Sequence, residues 1–323
     1  MLTSRRIFLS SLGALLATVV LHPRAQGQFP NKPIRLVVPF PPGGGADIAA
    51  RVIAVPLGEA LGQPVIVENK AGADGIIAGE AVMRAPPDGY TFLLGTATGL
   101  SGVPALRKTS PYDPTSDFTP IARLGTFVFF LFVNEQVPAK SMAELIAYVQ
   151  ANPGKINYGT GTTTAVIATA QLARSAKLEM VHIPYKGDGP LTAETVAGRV
   201  QVMFAAGGPA LAHVRSGKLH PVATLLPNRS PLLPDVPTMS QSGVQVSIVP
   251  WAGLFGPPGL PRDIVDRLNR EVVQVLARPA VREQLSGLAF DPQSSSPDEL
   301  RGFVAEQLRD WKQGAAEAGI QPE

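Results

Sequence analysis

The stretch from Ile34 to Arg51 constrains the fold more than any other part of this chain. Its apolar, β-branched start (34–38) runs into a Pro/Gly-rich turn (39–47) with three consecutive glycines, and a helix-like apolar pattern follows. This order predicts a strand that ends in a tight loop and opens a helix. Glycines let a ligand approach the backbone, and free N–H groups at a helix start attract anions. The stretch therefore indicates a site for a small anion.

Strand-like and helix-like runs alternate along the rest of the chain. Strands are predicted at 34–38, 65–68, 90–94, 127–133, 156–158, 180–183, 200–204 and 222–225. Helix starts are marked by capping boxes at Ser141 and Ser296, and Pro261 precedes a predicted helix over 262–277. Such alternation predicts an α/β fold of mostly parallel sheets with crossover helices.

The first 27 residues have the pattern of a cleaved secretory signal peptide. A basic start with Arg5 and Arg6 precedes an apolar segment, 12–21, and small residues follow at 25–27. The apolar segment is shorter than the ~20 residues needed to span a bilayer. Because Ser-Arg-Arg-x-Phe-Leu is also typical of a twin-arginine signal, the Sec and twin-arginine routes both stay open. We expect an exported protein.

Charge and cysteine content narrow the class of protein. Removal of Arg5, Arg6 and Arg24 with the signal lowers the 28 basic residues to 25, against 25 acidic ones, so the mature chain has no formal net charge. A neutral domain lacks the electrostatic footprint of a nucleic-acid partner or an acidic membrane. The sequence has no cysteine, which excludes disulfides and a cysteine-linked lipid. The roughly 296 remaining residues favour two domains.

Motifs of the common enzyme classes are missing from the sequence. It has no Gly-x-Ser-x-Gly, His-Glu-x-x-His or Walker A pattern and no cysteine nucleophile, and only three of its four histidines follow residue 27. The Gly-rich loops lack the third glycine of the dinucleotide fingerprint. We therefore expect a protein that performs no chemistry and holds no cofactor or metal.

Five motifs resemble those of the Bug-type receptors, the periplasmic solute-binding proteins of tripartite tricarboxylate transporters. The motifs are Gly43–Asp47 with Arg51, Val67–Gly75, Pro87–Thr91, His182–Gly187 and Pro234–Thr238. They occur in the order of the family, from about Phe29 to the C-terminus, so the resemblance covers essentially the whole mature chain.

The resemblance implies a two-lobed periplasmic binding protein fold of type II with two hinge crossings, near Gly125–Val128 and Val249–Gly253. Lobe 1 is expected at 28–126 plus 251–323, and lobe 2 at 127–250. The implied ligand is a small organic carboxylate, which in the family is a dicarboxylate, a tricarboxylate or an aromatic carboxylate. The implied partner is a membrane transporter of one large and one small subunit, and the receptor is expected to be a monomer.

The loops that follow strands are the first place to search for the ligand site, because ligands of open α/β sheets bind beyond the carboxyl ends of the strands. Four groups of residues form the predicted site: Phe40, Gly44, Gly45 and Asp47; Thr160, Gly161, Thr162 and Thr163; Thr96; and Tyr185 with Ala205. Each loop could instead be an ordinary turn or a helix cap.

Several of these residues are expected to act indirectly. Asp47 is interpreted as a cap and brace of its loop, since a carboxylate would repel a carboxylate ligand. Lys186 is expected to be solvated and His182 to be structural on a buried strand. Relatives often have a polar residue, commonly aspartate, where this chain has Ala205, so an acidic partner for a ligand ammonium is missing at that position.

The predicted receptor holds its carboxylate with N–H groups of 40–47 and hydroxyls of 160–164, without a buried cation. Two alternatives remain open at this point. One is an exported enzyme that uses the Gly-rich loops as an oxyanion or phosphate cradle. The other is a receptor of the same family that presents its ligand to a sensor kinase and has no transport role.

Overall fold

The computed structural model describes residues 29–246 and 248–322, and the predicted signal peptide lies outside them. Strands and helices alternate through the described residues. The strands are β1 (Ile34–Val38), β2 (Val65–Asn69), β3 (Thr91–Thr96), β4 (Thr119–Phe127), β5 (Phe129–Asn134), β6 (Asn157–Thr160), β7 (Val181–Pro184), β8 (Val202–Ala206), β9 (Leu219–Thr224), β10 (Trp251–Gly256) and β11 (Phe290–Pro292). The helices are α1 (Gly45–Leu61), α2 (Ile76–Met83), α3 (Val103–Leu106), α4 (Met142–Ala151), α5 (Thr163–Ala176), α6 (Asp188–Val196), α7 (Gly207–Arg215), α8 (Arg262–Ala277), α9 (Pro279–Gly287) and α10 (Pro297–Glu317).

The strands form two separate sheets, each flanked by helices. The first sheet has the order β11-β4-β10-β3-β1-β2, and the second has the order β7-β6-β8-β5-β9. We call the part of the chain built on the first sheet the first lobe and the part built on the second sheet the second lobe. This arrangement confirms the predicted two-lobed α/β fold.

The sheets are less uniformly parallel than the prediction. The parallel pairs are β1 with β2 and β3, and β6 with β7 and β8. In contrast, β10 is antiparallel to β3 and β4, and β5 is antiparallel to β8 and β9. Both reversed strands follow a passage of the chain from one lobe to the other. They start at the edge where the parallel strands end and must run in the opposite direction.

The two passages between the sheets lie side by side. The chain leaves the first sheet at Phe127, enters the second at Phe129 and returns to the first at Trp251. The N–H of Phe127 donates to the carbonyl of Pro250 over 2.8 Å, which ties the passages together. The predicted lobe limits stay a prediction. The prediction put Phe127 in lobe 2, whereas it ends β4 and pairs with Phe290 in the first sheet.

The sequence patterns predicted most strands to within two or three residues but missed β10, β11 and most of β4. The predicted strand at 127–133 merges the end of β4 with β5. Strand β10 is buried along its whole length and contains two glycines, so it shows neither alternation nor high β-propensity. Strand β4 includes Pro120 and Gly125, which are uncommon inside strands, so its sequence also lacks a clear strand pattern.

The predicted helix starts are confirmed with two differences. Ser296 and Glu299 form a full capping box at α10, and α8 spans the predicted 262–277. Ser141 caps α4 by accepting the Glu144 N–H, but the Glu144 carboxylate accepts the N–H of Lys140 instead of that of Ser141. Pro261 is the N-cap of α8 and not its first residue.

The C-terminal helix α10 connects the lobes. It packs on β4 and α3 of the first lobe and also contacts α5 of the second. Trp311 is fully buried there, and Gln171 of α5 donates to the carbonyl of Gly314 over 3.3 Å. None of the helices in the described part of the chain is long and apolar enough to cross a membrane.

The capping box at α10 is expected to stabilise the protein measurably. Ser296→Ala removes the acceptor of the Glu299 N–H and should lower the free energy of unfolding by about 1 kcal/mol. Denaturant unfolding measures this change. Ser175→Ala is the control, because that hydroxyl bonds only a carbonyl of its own helix, so its loss should be neutral or slightly stabilising. Equal losses in both variants would contradict the capping role.

Candidate functional site

A cleft lies between the lobes at the carboxyl ends of the parallel strands, where the sequence predicted it. Phe40, Thr96 and Phe127 line it after β1, at the end of β3 and at the end of β4. Phe129 and Trp251, the first residues of the two reversed strands, line it as well. The cavity left between the lobes in this arrangement is small, about 40 Å³.

Four helices point their N-termini at this cleft. Their N-cap residues Gly44 (α1), Thr162 (α5), Gly187 (α6) and Ala206 (α7) all line it. Of these four, Thr162 alone caps its helix with its own side chain. The first N–H groups of a helix have no partner within it, and its dipole places about half a positive charge at that end. The prediction included α1 and α5 but not α6 and α7.

Asp47 braces the first loop, as the sequence analysis interpreted it, but it does not cap α1, whose N-cap Gly44 has no side-chain hydrogen bond. Its carboxylate accepts the Gly43 N–H at 3.0 Å and the Asn69 amide at 2.9 Å, and it pairs with Arg51 at 2.9 Å. Burial raises its pKa, but the hydrogen bonds from Arg51, Gly43 and Asn69 outweigh burial and hold the pKa below its usual value. The residue is buried behind the loop, and the residues that line the cleft are its neighbours Gly44, Gly45 and Ala46.

The threonines of the loop after β6 lie in different surroundings. Thr162 and Thr164 line the cleft. Thr160 pairs its hydroxyl with Nε2 of His182 at 2.8 Å, and Thr163 packs against Gly102 of the first lobe. His182 lies on the exposed strand β7, where its ring stacks on Tyr158, so the expected burial of that strand was wrong.

Gly161 has a packing role that fixes the start of α6. A Cβ at this position would lie 2.5 Å from the carbonyl carbon of Gly187 and 2.7 Å from the nitrogen of Asp188. Only glycine leaves room for the two loops to touch. The N-termini of α5 and α6 are therefore adjacent in the wall of the cleft.

Like Asp47, Thr160, Gly161 and Thr163, the predicted site residues Tyr185 and Ala205 do not line the cleft. Tyr185 lines a neighbouring depression with Pro39, Ala71 and Gly161. Ala205 is fully buried in the core of the second lobe, while the next residue, Ala206, lines the cleft. Side chains alternate between the faces of a strand, so a shift of one residue changes the side that they face. Their predicted ligand contacts stay untested, and the geometry favours Ala206 over Ala205.

Asp188 is the residue that sequence reasoning missed. It is the first residue of α6, lines the cleft and is 6% exposed. Its Oδ2 accepts the Ala206 N–H at 3.0 Å, whereas Oδ1 has no partner among the described residues. Burial raises the pKa to about 6, although the Ala206 N–H favours the charged form. The only sequence signal was an acid directly after the Tyr-Lys-Gly turn, a position that also suits an ordinary helix start.

Thr96 and Trp251 add polar atoms from the first lobe. Both line the cleft, and the Thr96 hydroxyl and the Trp251 indole N–H are buried without a partner in the part of the chain that the structure describes. Trp251 is 0% exposed and packs edge-on against Phe303. Lys186 also lines the cleft but is exposed, as expected for a solvated lysine.

The two lobes touch across the cleft through small residues. A Cβ on Gly45 of the first lobe would lie 3.0 Å from the Cβ of Ala206 in the second. A Cβ on Gly187 of the second lobe would likewise lie 3.4 Å from Cδ of Pro41 in the first. The lobes are therefore closed on each other, and larger side chains at these positions would hold them apart.

Comparisons with known proteins agree with this geometry. A family model described as "Tripartite tricarboxylate transporter family receptor" matches residues 49–320. The R. palustris protein Rpa4515, solved with adipate, is 31% identical with a TM-score of 0.88 and covers 91% of this chain and 100% of its own. The periplasmic binding protein BugD is 31% identical with a TM-score of 0.86 and the same coverage.

A third solved structure is MatC from Rhodopseudomonas palustris with bound malate. It is 32% identical, has a TM-score of 0.82 and covers 88% of this chain and 99% of its own. These findings confirm the family that the five sequence motifs predicted.

The raised pKa of Asp188 predicts a pH-dependent stability. The folded state binds a proton with a pKa of about 6 against an ordinary value of 3.8, so stability falls as pH rises between these values. Above pH 6 the ionised carboxylate costs up to about 3 kcal/mol. Asp188→Asn keeps an acceptor for Ala206 and has no charge, so it should melt higher than the parent at pH 7.5 and equally at pH 4.

Thermal melting at the two pH values measures this difference. Asp235→Asn is the control, because it makes the same chemical change on an exposed loop. A gap between Asp188→Asn and the parent that is equally large at pH 4 and pH 7.5 would show that the charge of Asp188 is not its cause.

Proposed function

Because the chain belongs to the tripartite tricarboxylate transporter receptor family, we propose that it binds a small organic carboxylate in its cleft and delivers it to a membrane transporter of two subunits. The convergence of four helix N-termini on one cleft is the observation that supports this proposal most. Such ends supply N–H donors and positive potential to an anion. Two of the similar proteins were solved with adipate and with malate, which are both dicarboxylates.

The cleft has enough donors to hold a carboxylate without an ion pair. Each hydrogen bond to a charged group contributes roughly 1.5–3 kcal/mol. Three or four of them would give micromolar binding, about −8 kcal/mol, after the costs of ordering. The N–H groups after Gly44, the Thr162 hydroxyl and the Trp251 indole are the donors that we assign to this role.

The family consists of solute-binding receptors, and we extend this to the proposal that the chain catalyses no reaction. Ligand closes the lobes by binding the closed arrangement better than the open one, and the transporter recognises the closed form. The hinge lies at the two passages between the sheets, and the lobes are those predicted, 28–126 plus 251–323 and 127–250, with Phe127 moved to the first lobe. The receptor works as a periplasmic monomer after cleavage of residues 1–27.

A small carboxylate is expected to stabilise and compact the protein. At a ligand concentration ~100 times the dissociation constant, the stabilisation should be roughly 2.7 kcal/mol. Melting curves and solution scattering with dicarboxylates, tricarboxylates and aromatic carboxylates measure both effects. Solution NMR of the ligand after long incubation should show it unchanged. Consumption of the ligand would favour the enzyme, and no response to any carboxylate would contradict the receptor.

The contact between Gly45 and Ala206 predicts which substitutions weaken binding. Gly45→Val forces the lobes apart and should lower affinity more than about tenfold, whereas Lys186→Ala should lower it less than about tenfold. Calorimetric titration with a carboxylate identified by melting measures both. Gly302→Val is the control, because it puts the same side chain into open space on α10. Loss of binding in Lys186→Ala alone would show that an ion pair dominates.

Processing at the N-terminus is tested separately. N-terminal sequencing of exported protein should give a start near Gly27–Phe29, since small residues end the predicted signal there. Replacement of both Arg5 and Arg6 by lysine should block export if the twin-arginine route is used. An uncleaved, membrane-bound product would contradict the predicted signal peptide.

A further inference from the structure

We infer that the preferred ligand is a carboxylate with a hydroxyl or ammonium group on the carbon next to the carboxyl carbon. Asp188 Oδ1 accepts a hydrogen bond from this group. The inference rests on the proposed function and names the class of carboxylate that the same cleft selects. It depends on the buried polar atoms around the cleft and on how rigidly Asp188 is held.

Three residues of the cleft each have a buried polar atom without a partner among the described residues. They are Thr96 Oγ1 and Trp251 Nε1 from the first lobe and Asp188 Oδ1 from the second. Buried polar groups in proteins almost always have partners, and one that stays unpaired is costly. All three residues line one cleft, although the Trp251 ring also packs against Phe255 and Phe303. Our inference places the three atoms within reach of a single bound molecule.

The three unpaired atoms need different hydrogen-bonding groups on the ligand. The indole N–H of Trp251 can only donate, and the hydroxyl of Thr96 can donate or accept. Both suit a ligand carboxylate, together with the first N–H groups of α1. An ionised Asp188 can only accept, and a second carboxylate placed against it would be repelled. The ligand group that faces Asp188 must therefore be an O–H or an N–H donor.

Asp188 is held too rigidly to turn away from a ligand that lacks this donor. Its Oδ2 is fixed by the Ala206 N–H at 3.0 Å. Its main chain lies directly against Gly161, where a Cβ would come within 2.7 Å of the Asp188 nitrogen. A rigid, buried acceptor discriminates strongly, because a ligand without the donor leaves it unpaired.

Asp188 could instead serve only as a cap for the N-terminus of α7. The exchange of aspartate for asparagine separates the two roles. In Asp188→Asn the amide oxygen of the new side chain would still accept the Ala206 N–H, while an NH₂ donor would replace the acceptor Oδ1. A cap role predicts little change in ligand preference, whereas our inference predicts its loss.

The experiment is calorimetric titration of the mature chain with three matched series. These are succinate, malate and aspartate; glutarate, 2-hydroxyglutarate and glutamate; and phenylacetate, mandelate and phenylglycine. In the series that fits the cleft, the hydroxyl or the amino member should bind at least about tenfold more tightly than the unsubstituted one. The tighter binder of these two members shows whether a hydroxyl or an ammonium group donates to Asp188.

The variants then assign this preference to Asp188. Asp188→Asn should reduce the ratio between the substituted and the unsubstituted ligand at least about tenfold, with the unsubstituted ligand bound equally or better. Asp235→Asn, the matched change on an exposed loop, should leave the ratio as it is in the parent. If Asp188→Asn does not fold, the preference of the parent protein still decides the class of ligand.

Each outcome has one meaning. Equal binding of all members of a series by the parent would overturn the inference and leave the proposed function intact. An equal loss for every ligand in Asp188→Asn would also overturn it, because Asp188 would then only shape the cleft. No binding of any compound in the three series, together with no thermal response to any carboxylate, would be a failure of the proposed function itself.

Discussion

Unpaired backbone N–H groups at helix starts are the constraint on which this structure depends. Four helices begin at one cleft, and three of them have no N-cap side chain that caps their first turn. In α7 the Gly207 N–H donates to the carbonyl of Val128 and the Ala206 N–H to Asp188. The other first-turn donors need an acceptor, which water or an anion in the cleft can provide. Parallel strands place the helix starts there, since each helix follows the carboxyl end of a strand. Anion binding is thus a result of topology before any individual side chain contributes.

Small residues make this arrangement possible at close range. Glycine at 45 and 187 lets the lobes touch, and glycine at 161 lets two helix starts of the second lobe lie side by side. The donors can then approach a small ligand closely from both lobes. Charged side chains serve other purposes in this region. Asp47 and Arg51 stabilise the loop from behind, and Lys186 remains exposed.

Local patterns in the sequence were sufficient for much of the fold and for part of the site. Strand β1 with its glycine loop, helix α8 and the cap at Ser296 follow from short-range rules, so they could be predicted. Strand β10 is defined by its neighbours β3 and β4 from distant parts of the chain, and no local pattern marks it. Asp188 and Ala205 depend on how strands and helices pack, which decides whether a residue faces the cleft or the core. The family resemblance supplied the two-lobed arrangement that periodicity alone left open.

The position of the reversed strands has a consequence for anyone who redesigns this receptor. Phe127, Phe129, Pro250 and Trp251 form the passages between the lobes and also line the cleft. The pivot that we propose therefore shares these residues with the wall of the cleft. A screen for new ligand specificity at these positions will therefore also collect variants with an altered resting balance between open and closed forms. A biosensor built on this scaffold should instead vary Thr162, Thr164 and Asp188, which lie in the wall but outside the pivot, so that its signal amplitude and its selectivity can be adjusted independently.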